Sequence, residues 1–195
     1  MKKCKVCKKI IAFIMAVTLT AACFPGAAAV EAAASSKVSR QVKAKTEKIV
    51  KKQVNKKDSK KKKLKKLFSY VEKNYGYKRT VGFKNTKGWE KTYALEMFKG
   101  KKGSCYHFAA AYAFLAKKAT NYKVRIGLGK TNGFSGKLQP HAWVEIKIKS
   151  KWYICDPNMD KFAEKSSGKY CLKERGKLKK TYNKFKSVKY VNVAF

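Results

Sequence analysis

Acidic residues are scarce in this chain: 11 aspartates and glutamates stand against 49 lysines and arginines in 195 residues, a formal net charge of +38. Such an imbalance gives the molecule a field that attracts polyanions of any kind. The basic residues are nearly all lysine, which argues against base-specific reading of nucleic acid, where arginine's planar fork is preferred. Cysteine is sparse once position is considered. Of the six cysteines, Cys4, Cys7 and Cys23 fall in the first 34 residues, and Cys105, Cys155 and Cys171 cannot all pair with one another, which excludes a disulfide scaffold. A Cys155 to Cys171 bridge remains open, beside two buried thiols. There is no internal repeat, no glycine loop of the kind that cradles phosphate, and no carboxylate-rich loop suited to a divalent cation. The residues therefore imply neither cofactor nor metal.

Long apolar runs are missing too. The opening "MKKCKVCKKIIAFIMAVTLTAACFPGAAAVEAAA" has a basic start, one apolar run from Ile10 to Ala22, and small residues around Ala27 to Ala34. That run is shorter than the roughly 20 residues of a spanning helix, and the pattern is that of an export signal. Residues 1–34 are thus expected to be a cleaved signal peptide, placing the mature protein outside the cell or on its envelope without a transmembrane segment. An uncleaved anchor is one alternative and lipid attachment at Cys23 another, the latter weakened by Thr20 where leucine is usual. Residues 35–63 have scattered valines, many lysines and no aromatic side chain, and read as a flexible arm or fraying helix outside the core. Export and charge together point to anionic envelope polymers as partners of this surface.

From Leu64 the composition changes, and residues 64–195 are expected to form one folded domain. Leu64, Leu67, Phe68 and Val71 recur at helical spacing, and "EKTYALEMFKGKKG" reads as a second helix. In "KGSCYHFAAAYAFLAKKA" the residues from Phe108 to Ala116 are apolar on every face, as in a fully buried helix, with Ser104 as its N-cap. The period then changes. "YKVRIGLGK", "PHAWVEIKI", "KWYICDP" and "VKYVNVAF" read as strands. Helices first and strands after, without alternation, predict an α+β fold with an antiparallel sheet packed on a central buried helix.

The hairpin "PHAWVEIKIKSKWYICDP" permits a geometric argument. A two-residue loop at Lys149 and Ser150 sets Trp143 opposite Asp156 and His141 diagonal to it; a one-residue slip of the turn pairs His141 with Asp156 directly. Both registers hold imidazole and carboxylate on one face, roughly 5 to 8 Å apart at the backbone, whereas a three-residue loop separates them. Trp143, Ile154 and Trp152 share that face, with Ala142, Val144, Ile146 and Tyr153 on the other, so the sheet near His141 reads as apolar on both sides. Cys105 sits at the positive end of a helix dipole, which favours a thiolate. His107, two residues on, points elsewhere and reads as locally packed or hydrogen-bonded. Cysteine, base and orienting carboxylate form the activated-nucleophile arrangement for acyl transfer.

At these residues the chain resembles the transglutaminase-like superfamily: "GSCYHFAAAYAFLAKKA", "PHAWVEI" and "KWYICDPNM" stand in that family's order, over about Leu64 to Phe162. The resemblance implies a papain-like α+β core with Cys105 as nucleophile, His141 as general base and acid, and Asp156 as the residue orienting His141. It also implies an oxyanion donor from the Cys105 backbone N–H plus one upstream group, for which Trp89 is the candidate aromatic N–H. Three functions follow as expectations: transfer of an acyl group from a protein or peptide amide to an amine, hydrolysis of such an amide as a cysteine peptidase or amidase, or an inert basic module adhering to the envelope.

Overall fold

The computed structural model describes residues 25–163, 169–178 and 189–195. Most of the expected export segment, with Cys4, Cys7 and Cys23, lies outside the described residues; the remainder opens helix α1 (Pro25–Gln53). Among the described residues, no helix is long and apolar enough to cross a membrane. The lysine-rich stretch 35–63 differs from its expected character as an arm outside the core. Val38, Val42, Thr46, Ile49 and Val50 fall on one stripe of α1, and Val42 and Thr46 are fully buried. This stripe packs on α3 (Trp89–Gly100) and α4 (Cys105–Thr120). Lysine outnumbers the stripe in any compositional average, yet residues spaced by three and four still gather on one helix face.

After a turn in which Asp58 accepts from Asn55 N–H at 2.9 Å and meets Lys62 and Lys66, α2 (Lys60–Asn74) starts at Ser59, whose hydroxyl accepts from Lys62 N–H at 3.2 Å. It buries Leu64, Leu67, Phe68 and Val71, as their spacing predicts. Strand β1 (Gly76–Tyr77) runs parallel to β2 (Lys102–Gly103), which leads straight into α4. Helix α4 is buried from Phe108 to Ala116 without interruption.

The sheet follows: β3 (Lys123–Thr131), β4 (Gln139–Ile148), β5 (Lys151–Cys155), β6 (Lys173–Glu174) and β7 (Lys189–Asn192), ordered β6-β5-β4-β3-β7 and antiparallel throughout. A short helix α5 (Pro157–Phe162) follows β5. The architecture is the expected α+β one. Ala142, Val144, Ile146, Val124 and Ile126 pack with α4 in the main core, while Trp143 and Ile154 join Met159, Ala163 and Tyr170 in a second cluster.

The docking of α1 is testable by a single truncation. Val42→Ala should cost about 2 kcal/mol through lost burial and the cavity left behind, measured by urea unfolding. An unchanged midpoint would return α1 to the status of a loose arm.

Candidate active site

Ser104 precedes α4 in extended conformation (φ −80°, ψ −179°), so that Cys105 is the first helical residue. The helix start is held by a capping box. His107 Nδ1 accepts from Ser104 N–H at 3.2 Å and lies 3.1 Å from its hydroxyl, which fixes the proton on Nε2, where it is donated to Glu96 Oε2 at 2.9 Å. Burial lowers the pKa of His107, against the opposing effect of Glu96. His107 is thus a local structural group, as its position on the helix predicts. Gly103 is required beside it, because a Cβ there would come within 2.5 Å of the His107 side chain.

The hairpin has the two-residue turn. Val144 pairs with Cys155 and Ile148 with Lys151, so Lys149 and Ser150 form the loop, with Lys149 in the left-handed region at φ 53°. His141 then stands diagonal to Asp156, and the side chains meet: His141 Nε2 lies 2.6 Å from Asp156 Oδ2, both residues being 1% exposed. Cys105 lines the same cavity as His141, close enough to influence the protonation of the imidazole. Burial is the largest influence on the imidazole and would strip its proton, but the charge and hydrogen bond of Asp156, with those of Cys105, outweigh it and raise the pKa. Phe134 meets the imidazole edge-on at 5.2 Å, and Trp143 lies nearly parallel to it at 6.4 Å.

Asp156 does more than face a histidine. It is the N-cap of α5, its Oδ1 accepting from Met159 N–H at 2.9 Å, while its own N–H donates to Tyr170 O at 2.9 Å. Pro157 occupies the first helical position, where its fixed φ suits the helix and its missing donor costs nothing. An aspartate followed by proline is a helix-start signal; it is present at "CDPNM", but the β-prone residues before it read as a strand and masked it.

The structure therefore brings Cys105, His141 and Asp156 together. Cys155 lies in the core on the other face of the sheet, buried, and its thiol pKa is raised by that burial; Cys171, half-buried, is pushed up to about 12 for the same reason. Both are free thiols here. Trp89 packs edge-on to Phe83, Tyr93 and Tyr106, and its indole N–H is buried without a hydrogen-bond partner among the described residues.

The face carrying Trp143 is less apolar than expected. Fully buried Glu145 accepts from Arg125 Nε at 3.0 Å and Nη2 at 2.5 Å, Arg175 Nε at 3.0 Å, Trp143 Nε1 at 3.1 Å and Tyr190 O–H at 3.3 Å. The Arg125 guanidinium lies between the Trp152 and Tyr190 rings, 3.7 Å from each. Strand alternation already set Glu145 on this face. What could not be read was that Arg175 and Tyr190 return to it from far along the chain. Through Trp143 this network backs His141, and Gly127 makes room for the indole: a Cβ there would meet it at 2.5 Å.

A family model for the transglutaminase-like superfamily matches residues 47–157, more than half of the chain, a span that includes Cys105, His141 and Asp156. Among solved structures, the chain is similar to a "Putative Cysteine Protease" from Cytophaga hutchinsonii, at 16% identity and TM-score 0.47 over 78% of this chain and 49% of that one. It is also similar to Rad4-Rad23 bound to a 6-4 photoproduct UV lesion (14%, TM-score 0.43, 80% of this chain and 41% of that one). A TGase structure matches at 18% identity and TM-score 0.34, over 65% and 31%. The chain spans half or less of the length of each. No curated protein matches it.

Two outcomes are expected from this geometry. The folded state holds the His141 proton above the ordinary imidazole value of about 6.5, so the stability it contributes is complete below that pH and is lost as pH rises through the raised value. Asp156→Asn should bring the titration midpoint of the His141 ring proton, followed by NMR, down from its wild-type position; an unmoved midpoint would remove Asp156 as the cause. Gly127→Ala should cost about 1–3 kcal/mol by overpacking against Trp143, read from the thermal midpoint.

Proposed function

The chain belongs to the transglutaminase-like superfamily, and from that premise we propose that it is a cysteine enzyme acting on amide carbonyl groups, transferring the acyl group to an amine through a thioester on Cys105. The observation that carries this reading is the buried His141–Asp156 pair, 2.6 Å apart, standing against a cysteine at the start of a buried helix. His141 takes the Cys105 proton, and the sulfur attacks the amide carbon. The oxyanion that forms is met by the Cys105 backbone N–H, one of the unpaired donors of a helix start. His141 then gives its proton to the leaving nitrogen as the C–N bond breaks, and an amine is released. A second amine attacks the thioester, His141 taking its proton, and the carbon–sulfur bond breaks to return the thiol. Asp156, with both oxygens committed, keeps the imidazole oriented and supports its charged form throughout.

Water attacking the same thioester would give hydrolysis, the action of a cysteine peptidase or amidase. Export and adherence to anionic envelope polymers belong to the same reading. They are supported by the signal-like opening sequence and the net charge of +38.

Incubation with a glutamine-containing protein and a labelled primary amine separates the routes by mass. Wild-type protein should incorporate the amine, Cys105→Ala should not, and His141→Ala should be slower by on the order of 10²–10⁴. Ammonia loss without amine incorporation would establish hydrolysis instead. Activity undiminished in Cys105→Ala would end the cysteine mechanism.

A further inference from the structure

Two cavities meet at Cys105. The first, of about 610 Å³, runs toward Arg79 and Val81; the second, of about 480 Å³, is walled by Tyr77, Phe134, Pro140 and Phe162, with His141 and Asn158 also lining it. The second cavity has an unusual wall. Tyr77 and Phe162 are 51% and 43% exposed, with their rings in edge contact at 5.9 Å. Large apolar side chains left open to water beside a reactive group mark a surface that a ligand covers.

Asn158 supplies the second, independent observation. It is 2% exposed, and its Nδ2 has no hydrogen-bond partner among the described residues. A buried amide donor without a partner is uncommon in a native structure and is completed where a ligand brings the acceptor. Asn158 is among the residues lining this cavity, and the terminal torsion of asparagine is broad and soft, so a small rotation of the carboxamide suffices to offer its nitrogen to a ligand there. Its backbone is held by the Asp156–Pro157 start of α5, the turn that also orients His141.

We propose that this cavity is the acyl-donor subsite: it takes an aromatic or large aliphatic side chain of a polypeptide substrate, and Asn158 Nδ2 donates to a carbonyl oxygen beside the reacting carbon. The substrate class is thereby a peptide segment with a bulky apolar residue at or next to the reacting amide. This rests on Cys105 being the nucleophile, so the test keeps the two apart.

Alkylation of Cys105 in the full-length protein is followed by peptide mass mapping with N-benzyl iodoacetamide and with iodoacetamide; in both, a sulfur–carbon bond forms as iodide leaves. Methyl methanethiosulfonate, which has no carbonyl, transfers its methylthio group to the sulfur as methanesulfinate leaves. The benzyl reagent should be favoured over iodoacetamide by about tenfold more than it is with glutathione. Phe134→Ala combined with Phe162→Ala should return that preference to the glutathione value. Asn158→Ala should slow both acetamides about fivefold relative to the thiosulfonate. A wild-type preference equal to that of glutathione overturns the subsite, whatever the variants do. Equal slowing of all three reagents by Asn158→Ala overturns its role as carbonyl donor. A folded protein whose Cys105 fails to react with the thiosulfonate removes the nucleophile, and the subsite with it.

Discussion

One carboxylate ties the hairpin to the helix that follows it. Asp156 Oδ2 meets His141 and Oδ1 caps α5 through Met159 N–H, while its backbone N–H reaches Tyr170. A carboxylate this deeply buried is tolerable only when its oxygens are paired. The arrangement makes the direction of the imidazole and the position of α5 a single constraint. Displacing either would leave a buried carboxylate short of a partner, so the structure resists relative motion of the imidazole and α5.

The two histidines of the chain illustrate how surroundings assign roles to identical groups. His107 is buried at a helix start with its Nδ1 accepting from the backbone, and its pKa is lowered. His141 has a carboxylate at hydrogen-bond distance, and its pKa is raised despite deeper burial. One locks the helix that carries Cys105, with Gly103 giving it room; the other lines a cavity with that cysteine and is paired with Asp156. The continuous burial of α4 between them keeps the helix start from shifting.

Much of this was legible in the amino-acid order, for identifiable reasons. The α2 stripe and the all-round apolar α4 follow helical periodicity, and the proximity of His141 to Asp156 follows from strand alternation once the turn is two residues long. Other parts were hidden. The α1 stripe of Val38, Val42 and Thr46 is diluted by lysine, so composition pointed to an arm where spacing allowed a packed helix. At Asp156–Pro157 the β-prone residues before it masked a helix start. The Glu145 network depends on Arg175 and Tyr190, whose return to the sheet is a tertiary fact that no local pattern encodes. Asn158 carries no sequence signal at all, since only the walls around it show that its amide is without a partner.

The Glu145 network has its own implication for how the molecule is made. Glu145 sits in the middle strand of five, yet Arg175 comes from beside one edge strand and Tyr190 from the other. A nascent chain that has not yet yielded Tyr190 carries this carboxylate without its full set of donors, however complete the helices already are. The donor set of this carboxylate is complete only once β7 has been made and paired, so the centre of the sheet depends on both of its edges.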